Sequence, residues 1–378
     1  MTIERDITFL KNLVIQQRNK ITFLEREVGE IKTSNTYRAG RIINIIYKII
    51  KKLLIVPAIR WKIQKMQNDN ELKLKLNNYK ILSSEFKIEP IEIKLPVNLS
   101  ACNPSVITTP SGWLFNVRAH NYTLDENGHS HKIFGNELFN ENWLVEIDDN
   151  NQTISAQQLK IHNSYTGDPT FDPARNGLED IRLIQKNNKL YALATCANTL
   201  FETNTMALGE ICNFEINNIS FIRSPLGQAR EKNWMPILNG DTFKFIYNIK
   251  DLSIFCLNDG MIQKSHTTKK TDLSGYSGSS QVIPFENKFI CVIHKRIQIQ
   301  DKKFYIHRFV MFDDKLNITN LSDEFFFEKQ GIEFCAGLAQ KGEEIIISYG
   351  LNDTKAKYMK LDFNKIDSLF NNKHHSAL

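Results

Sequence analysis

Residues 343–353 read EEIIISYGLND. The three consecutive isoleucines, Ile345 to Ile347, look like a buried strand, and a polar group from Ser348 to Asp353 follows without a gap. What such a junction means depends on whether it recurs. It does, in four other places: SVITTPSGWLFNVRAHN from Ser105, RLIQKNNKLYALATCAN from Arg182, MPILNGDTFKFIYNIK from Met235 and QVIPFENKFICVIHKR from Gln281. With GLAQKGEEIIISYGLND from Gly337 they share one grammar: an apolar strand, a polar turn, a second apolar strand, then a polar tip. The starts lie 77, 53, 46 and 56 residues apart. Four-stranded units repeated at roughly 40–50 residues are the signature of a β-propeller. Five units predict five blades over residues 86–368, and the wide first gap predicts an insertion around NYTLDENGHSHKIFGNELFNENW.

The N-terminal third reads differently. Ile7, Leu10, Val14, Gln17, Ile21, Leu24, Val28 and Ile31 step by three and four, which predicts an α-helical coiled coil over residues 1–35 and a homo-oligomer. In residues 36–68, Ile42, Ile46, Ile49, Leu53 and Val56 share one helical face bordered by Arg38, Arg41, Lys48, Lys51 and Lys52. A basic amphipathic helix ending near Trp61 fits an anionic membrane surface; a core-packing helix is the alternative. No run approaches the length needed to cross a bilayer. Residues 69–85 are polar and read as a linker.

Composition narrows the functions. The net charge of +6 is concentrated: nine Lys or Arg and no acid lie between Lys32 and Asn68. The remainder is close to neutral, so nucleic-acid binding is not indicated. Six cysteines without CxxC spacing fit buried free thiols in a reducing compartment. The start of the chain has no secretory pattern. Together these predict a cytoplasmic protein, peripheral on the inner face of the membrane. No D-x-D or G-x-G-x-x-G motif occurs, and neither metal nor cofactor is implied.

In a propeller the strand mouths converge on the central channel. The tips and the segments before them offer Arg118, His120, Glu179, Asp180, Arg182, Glu231, Lys232, Asn233, Trp234, His294, Glu333, Tyr349 and Asp353. Cations clamp phosphate oxygens, an aromatic face stacks on a sugar, and a carboxylic acid handles the proton at a glycosidic oxygen.

The segments CNPSV, WLFNVRAHN, GLEDIRLI, EKNWMPI, SGSSQVI, FICVIH and ISYGLNDTKA resemble, in order, the blade motifs of the five-bladed β-mannoside phosphorylases and hydrolases and of the mannosyltransferases that share their fold. The resemblance spans about residues 86–365. It implies that Asp180 is the proton-handling carboxylate, with Ile181 standing where the family's pattern has proline. It implies that Arg118, Arg182 and Lys232 bind phosphate or sugar hydroxyls, and that His294, Tyr349 and Asp353 belong to the same site. Asn103, Glu179, Asn233, Trp234, Gln281 and Glu333 complete the candidate substrate-binding set. Structural roles stand beside these: a turn cap for Asp180 or Asp353, a solvated charge for Lys232, a core histidine for His294.

Three functions follow. The N-terminal helices favour an inverting mannosyltransferase in surface-polysaccharide, capsule or glycolipid assembly, taking a nucleotide-sugar or sugar-1-phosphate donor and a glycan acceptor. A β-mannoside phosphorylase or hydrolase is the alternative, and a non-catalytic sugar-binding propeller the third.

Overall fold

The computed structural model describes residue 61 and residues 64–135, 137–198, 201–264 and 272–370. The chain divides into two compact units, Met1–Leu72 and Lys73–Leu378. In the first, the described residues are helical. The heptad of residues 1–35 and most of the basic segment 36–68 lie outside the described residues, and among those described no helix is long and apolar enough to cross a membrane.

The second unit is a propeller-like ring of five antiparallel units, here blades I to V. Blade I comprises Ser100–Thr109, Gly112–His120, Asn140–Asp148 and Thr153–Ile161. Blade II comprises Glu179–Lys186, Lys189–Asn198, Thr203–Cys212 and Glu215–Ile222. Blade III is shorter, with Met235–Pro236, Lys244–Asn248, Ser253–Cys256 and Met261–Lys264. In blade IV, Lys288–Ile299 and Lys302–Phe312 pair with each other. The inner strand of this blade is broken into Tyr276–Gly278 and Ile283–Phe285. Blade V comprises Glu333–Lys341, Glu344–Leu351 and Lys355–Asp362, completed by Lys87–Pro90 from the start of the unit. Its two ends are thus fastened in one blade. Blades I and II also run on as one sheet, because Lys160–Ile161 pairs in parallel with Glu215–Ile216.

One apolar core fills each gap between neighbouring blades, five in all. This accounts for the isoleucine run. Ile345 and Ile347 pack toward blade IV, whereas Ile346 packs toward blade I. Successive strand side chains point to opposite faces, and here both faces are covered, so no polar alternation survives. Each such side chain contributes about 1.5–3 kcal/mol on burial.

The stretch read as a linker, 69–85, is ordered in part. It is helical to residue 77; Lys80–Ile81 then pairs in parallel with Phe325–Phe326, and Leu82 is fully buried against blade IV. Sparse apolar residues in a polar stretch were enough to dock it. Five of the six cysteines are buried and all are unpaired.

Near the axis Gln281 ties three blades together. Its Nε2 donates to Val106 O at 3.0 Å and Leu183 O at 3.1 Å, and its Oε1 accepts from Leu338 N at 3.0 Å. All its polar capacity goes into the ring, so its expected role in substrate binding is corrected to a structural one.

Candidate active site

At one mouth of the ring lies a cavity of about 250 Å³ to which all five blades contribute. Blade I brings Asn103 and Arg118; blade II brings Glu179, Asp180 and Thr195; Lys232 and Asn233 enter blade III; blade IV brings His294, Lys303 and Tyr305; blade V brings Phe334 and, just past its second strand, Asp353.

The backbone at these points departs from regular strand. The inner strands of blades I and II bulge at Cys102–Ser105 and Glu179–Arg182. Such bulges re-aim side chains. Asn103, Asp180, Asn233 and Asp353 all have positive φ, at 43°, 48°, 61° and 51°. Asn and Asp tolerate that region best among non-glycine residues, and clustering of such conformations is a mark of functional sites. Gly350 is needed beside them, since a Cβ there would lie 2.1 Å from Asn103 Oδ1.

Arg118 Nη1 donates to Asp180 Oδ1 at 2.8 Å, and Asn103 Nδ2 donates to the same oxygen at 3.0 Å. Arg118 is steadied by Asn140, whose Oδ1 accepts from Nε at 2.8 Å. Arg182 Nη1 donates to the Asp180 carbonyl at 2.7 Å and Nε to Ser279 O at 3.1 Å. Burial raises the Asp180 pKa, but Arg118, Arg182 and the two hydrogen bonds outweigh it, and the carboxyl is held below its ordinary value. Across the cavity Tyr122 OH donates to Asp353 Oδ2 at 2.9 Å, and the Tyr122 ring stacks on His120. Burial, only partly offset by Arg118, raises both Glu179 and Asp353. His294 is pushed down to about 3 by burial and by the nearby Arg182 and Lys232. It is neutral at physiological pH, with Nδ1 buried and unpartnered. Lys232 and Glu179 make no side-chain hydrogen bond or ion pair to any described residue, so a cation and a carboxyl are free to meet a ligand.

The sequence-predicted residues therefore divide. Asn103, Arg118, Glu179, Asp180, Lys232, Asn233, His294 and Asp353 line the cavity. Arg182, Trp234, Gln281, Glu333 and Tyr349 do not, and all five are wholly excluded from solvent. Arg182 supports Asp180 from behind. Trp234 lies in the core between blades II and III and donates Nε1 to Glu231 Oε2 at 2.9 Å. Glu333 accepts from the backbone N–H groups of Phe327, Glu328 and Lys329. Tyr349 stacks on Phe327 at 4.6 Å. For Trp234, Gln281, Glu333 and Tyr349 the expectation of ligand contact is corrected.

Sequence reasoning missed Tyr122, Thr195, Lys303, Tyr305 and Phe334. Phe334 follows Glu333 and faces the other side of the strand. Tyr122 belongs to the insertion signalled by the wide first gap. That insertion is a hairpin, Tyr122–Leu124 with Ser130–Ile133, which arches from blade I toward blade IV. There Lys303 N donates to Asn127 O at 3.0 Å and Lys303 Nζ to Gly128 O at 2.9 Å. Gly128 must be glycine: φ is +83°, and a Cβ would meet Ile332 Cδ1 at 2.2 Å. Leu124, Gly128 and Ser130 thereby wall the cavity. Among the described residues no acidic, cysteine and histidine grouping could hold a metal ion.

No family model matches the chain, and no curated protein matches it. Solved structures do. A β-1,2-mannobiose phosphorylase from Listeria innocua, in complex with β-1,2-mannobiose, matches with TM-score 0.54 at 13% identity, over 78% of this chain and 99% of that one. A structure described with the GH130 family of mannoside phosphorylases, which contains glycoside hydrolases that target β-1,2 mannosidic linkages in Candida mannan, matches with TM-score 0.55 at 11% identity, over 75% and 97%. A mannose phosphorylase from Leishmania mexicana, in complex with phosphate ion, matches with TM-score 0.51 at 10% identity, over 80% and 96%. The chain is thus similar in fold to the β-mannoside phosphorylases and hydrolases that its blade motifs resemble. The expected mannosyltransferase of polysaccharide assembly is corrected by these neighbours, which are phosphorylases and hydrolases, the alternative reading.

Proposed function

We propose that the chain is a β-mannoside-cleaving enzyme that uses phosphate as the attacking group. The observation carrying this is the cavity's division of charge: Asp180 is fixed by Arg118 and Asn103, while Lys232 on the facing wall has no partner of its own among the described residues. The cavity is slightly smaller than the roughly 300–1,000 Å³ of common ligand pockets, which suits a single sugar ring with a small anion. The neighbours' stated substrate and phosphate support the same reading.

In the proposed reaction phosphate, held by Lys232 and met by neutral His294, attacks the anomeric carbon in a single displacement with inversion. A β-mannoside and phosphate yield α-mannose 1-phosphate and a sugar whose oxygen takes up a proton. Asp180 handles that proton, directly or through a sugar hydroxyl. Arg118, Arg182 and two hydrogen bonds hold this carboxyl below its ordinary value. An arriving phosphate brings like charge, which raises the carboxyl's proton affinity when it must serve as acid. Glu179, a cavity carboxyl raised by burial, hydrogen-bonds a sugar hydroxyl.

Incubation with β-1,2- and β-1,4-mannobiose, with and without phosphate, tests the reading by chromatography of the products. Cleavage that requires phosphate supports it. Free mannose formed without phosphate would assign hydrolysis instead, and intact disaccharide under both conditions would refute cleavage of these mannosides.

A further inference from the structure

A second hollow of about 690 Å³ opens beside the outer strands of blade II, walled also by the segment before that blade and the loop leading to blade III. Phe171 and Phe221 form its apolar floor, Phe201 stands on its rim at 67% exposure, and Arg223 and Gln228 are exposed beside it. The proposed chemistry uses none of these residues.

Its position relative to the catalytic cavity is fixed twice over. Along the chain, Gln228, Ala229 and Glu231 line the hollow while Lys232 and Asn233 line the cavity, so the change takes place across one residue step of about 3.8 Å. Across the sheet, Thr195 lines the cavity, and on the paired strand Thr203, Asn204 and Thr205 line the hollow. Paired strands lie roughly 4.8 Å apart. The wall between the two is one strand thick, and both open at the same end of blade II.

We propose that this groove holds the third and later sugar units of an oligosaccharide, those beyond the two rings that flank the bond being cleaved. The inference rests on the glycoside reading of the central cavity. That cavity accommodates little more than the reacting ring, so the units after the second must lie outside it, and this hollow begins one strand away at the same end of blade II. A pyranose has an apolar face and a hydroxylated rim. The phenylalanines suit the first, and Arg223 and Gln228 suit the second. The substrate class is a β-mannooligosaccharide longer than the disaccharide.

The test is calorimetric titration of the full chain with β-1,2-mannobiose and with the corresponding tetrasaccharide, phosphate omitted. The tetrasaccharide should bind more tightly. Phe201→Ala, at an exposed position that folding tolerates, should weaken the tetrasaccharide roughly tenfold, as expected when part of a phenylalanine face stays in water, and leave the disaccharide unchanged. Arg223→Ala should act in the same direction by a smaller factor. Equal affinity for the two lengths, or equal weakening of both by Phe201→Ala, overturns the groove while leaving the central cavity intact. Failure of both sugars to bind overturns the glycoside reading and the groove with it. Length-dependent binding lost in Phe201→Ala, without cleavage of any glycan, upholds the groove and refutes the chemistry alone.

Discussion

The cluster around Gln281 is wholly buried near the axis, whereas the cluster around Asp180 is half-buried at the mouth of the ring, with Lys232 exposed. In the axial cluster the groups are matched: Gln281 makes three hydrogen bonds to three blades, Ser105 Oγ accepts from Leu183 N, and Ser348 Oγ donates to Pro104 O. In the cavity cluster the matching stops short. Among the described residues His294 Nδ1 has no partner and Lys232 and Glu179 face the cavity without one, and four residues there hold left-handed backbone conformations. Leftover hydrogen-bonding capacity distinguishes the cavity cluster from the axial one, although buried unpartnered atoms also occur away from the cavity, at Trp113 Nε1, Asn116 Oδ1 and both ring nitrogens of His307.

Four substitutions and one titration sharpen that contrast. Asp180→Asn should reduce cleavage by about 10²–10⁴-fold, the usual contribution of acid–base help, with an unfolding midpoint near that of the wild type. Glu179→Gln should cost only about tenfold, since the amide oxygen still accepts a hydrogen bond from a sugar hydroxyl. If the two losses are exchanged, Glu179 is the proton-handling group. Gln281→Ala should instead lower stability by about 3 kcal/mol, because it strands Val106 O, Leu183 O and Leu338 N. Urea unfolding measures this, and turnover per folded molecule should hold. A selective loss of turnover would place Gln281 in the site after all. Lys232→Ala should raise the KM for phosphate about 10–100-fold, as for a lost charged hydrogen bond, with a smaller change for the sugar.

The smallest effect concerns acid stability. Burial, then Arg118, lowers His120 to about 4, and His294 lies near 3; the ordinary value is 6.5. The unfolded chain therefore takes up these protons first. The histidines' contribution is complete above pH 6.5 and is lost as the pH falls toward 4, with a slope approaching about 1.4 kcal/mol per pH unit for each. The raised carboxyls Glu179 and Asp353 work the other way. The slope is therefore read as the difference between wild type and His120→Asn across pH 7 to 5; equal slopes would contradict the assignment.

The fold was largely legible because each blade repeats one pattern, and the isoleucine run at 345–347 marks a strand covered on both faces. The site was legible to the resolution of a strand end and no finer. The chemistry of Trp234 and Glu333 points to ligand contact, but strand alternation turns Phe334 instead of Glu333 to the cavity, and the left-handed backbone at Asn233 brings that residue in place of Trp234. Parity at a bulge or a left-handed residue cannot be counted from a sequence, and Asn103, Asp180 and Asn233 all sit at such points. Tyr122 and Lys303 line one cavity because a hairpin from blade I reaches blade IV, where Lys303 bonds Gly128, a contact between residues 175 positions apart that no local pattern announces. The transferase expectation draws its weight from the heptad and the basic segment, which lie outside the described residues, whereas the ring that carries the cavity is similar in fold to phosphorylases and hydrolases.

Phosphorus NMR of the protein with β-1,2-mannobiose and inorganic phosphate addresses the central claim most directly. The account predicts that the phosphate resonance falls as one for α-mannose 1-phosphate rises, and that neither changes with Asp180→Asn. An unchanged phosphate resonance with the wild-type protein, at a phosphate concentration well above any plausible KM, contradicts it.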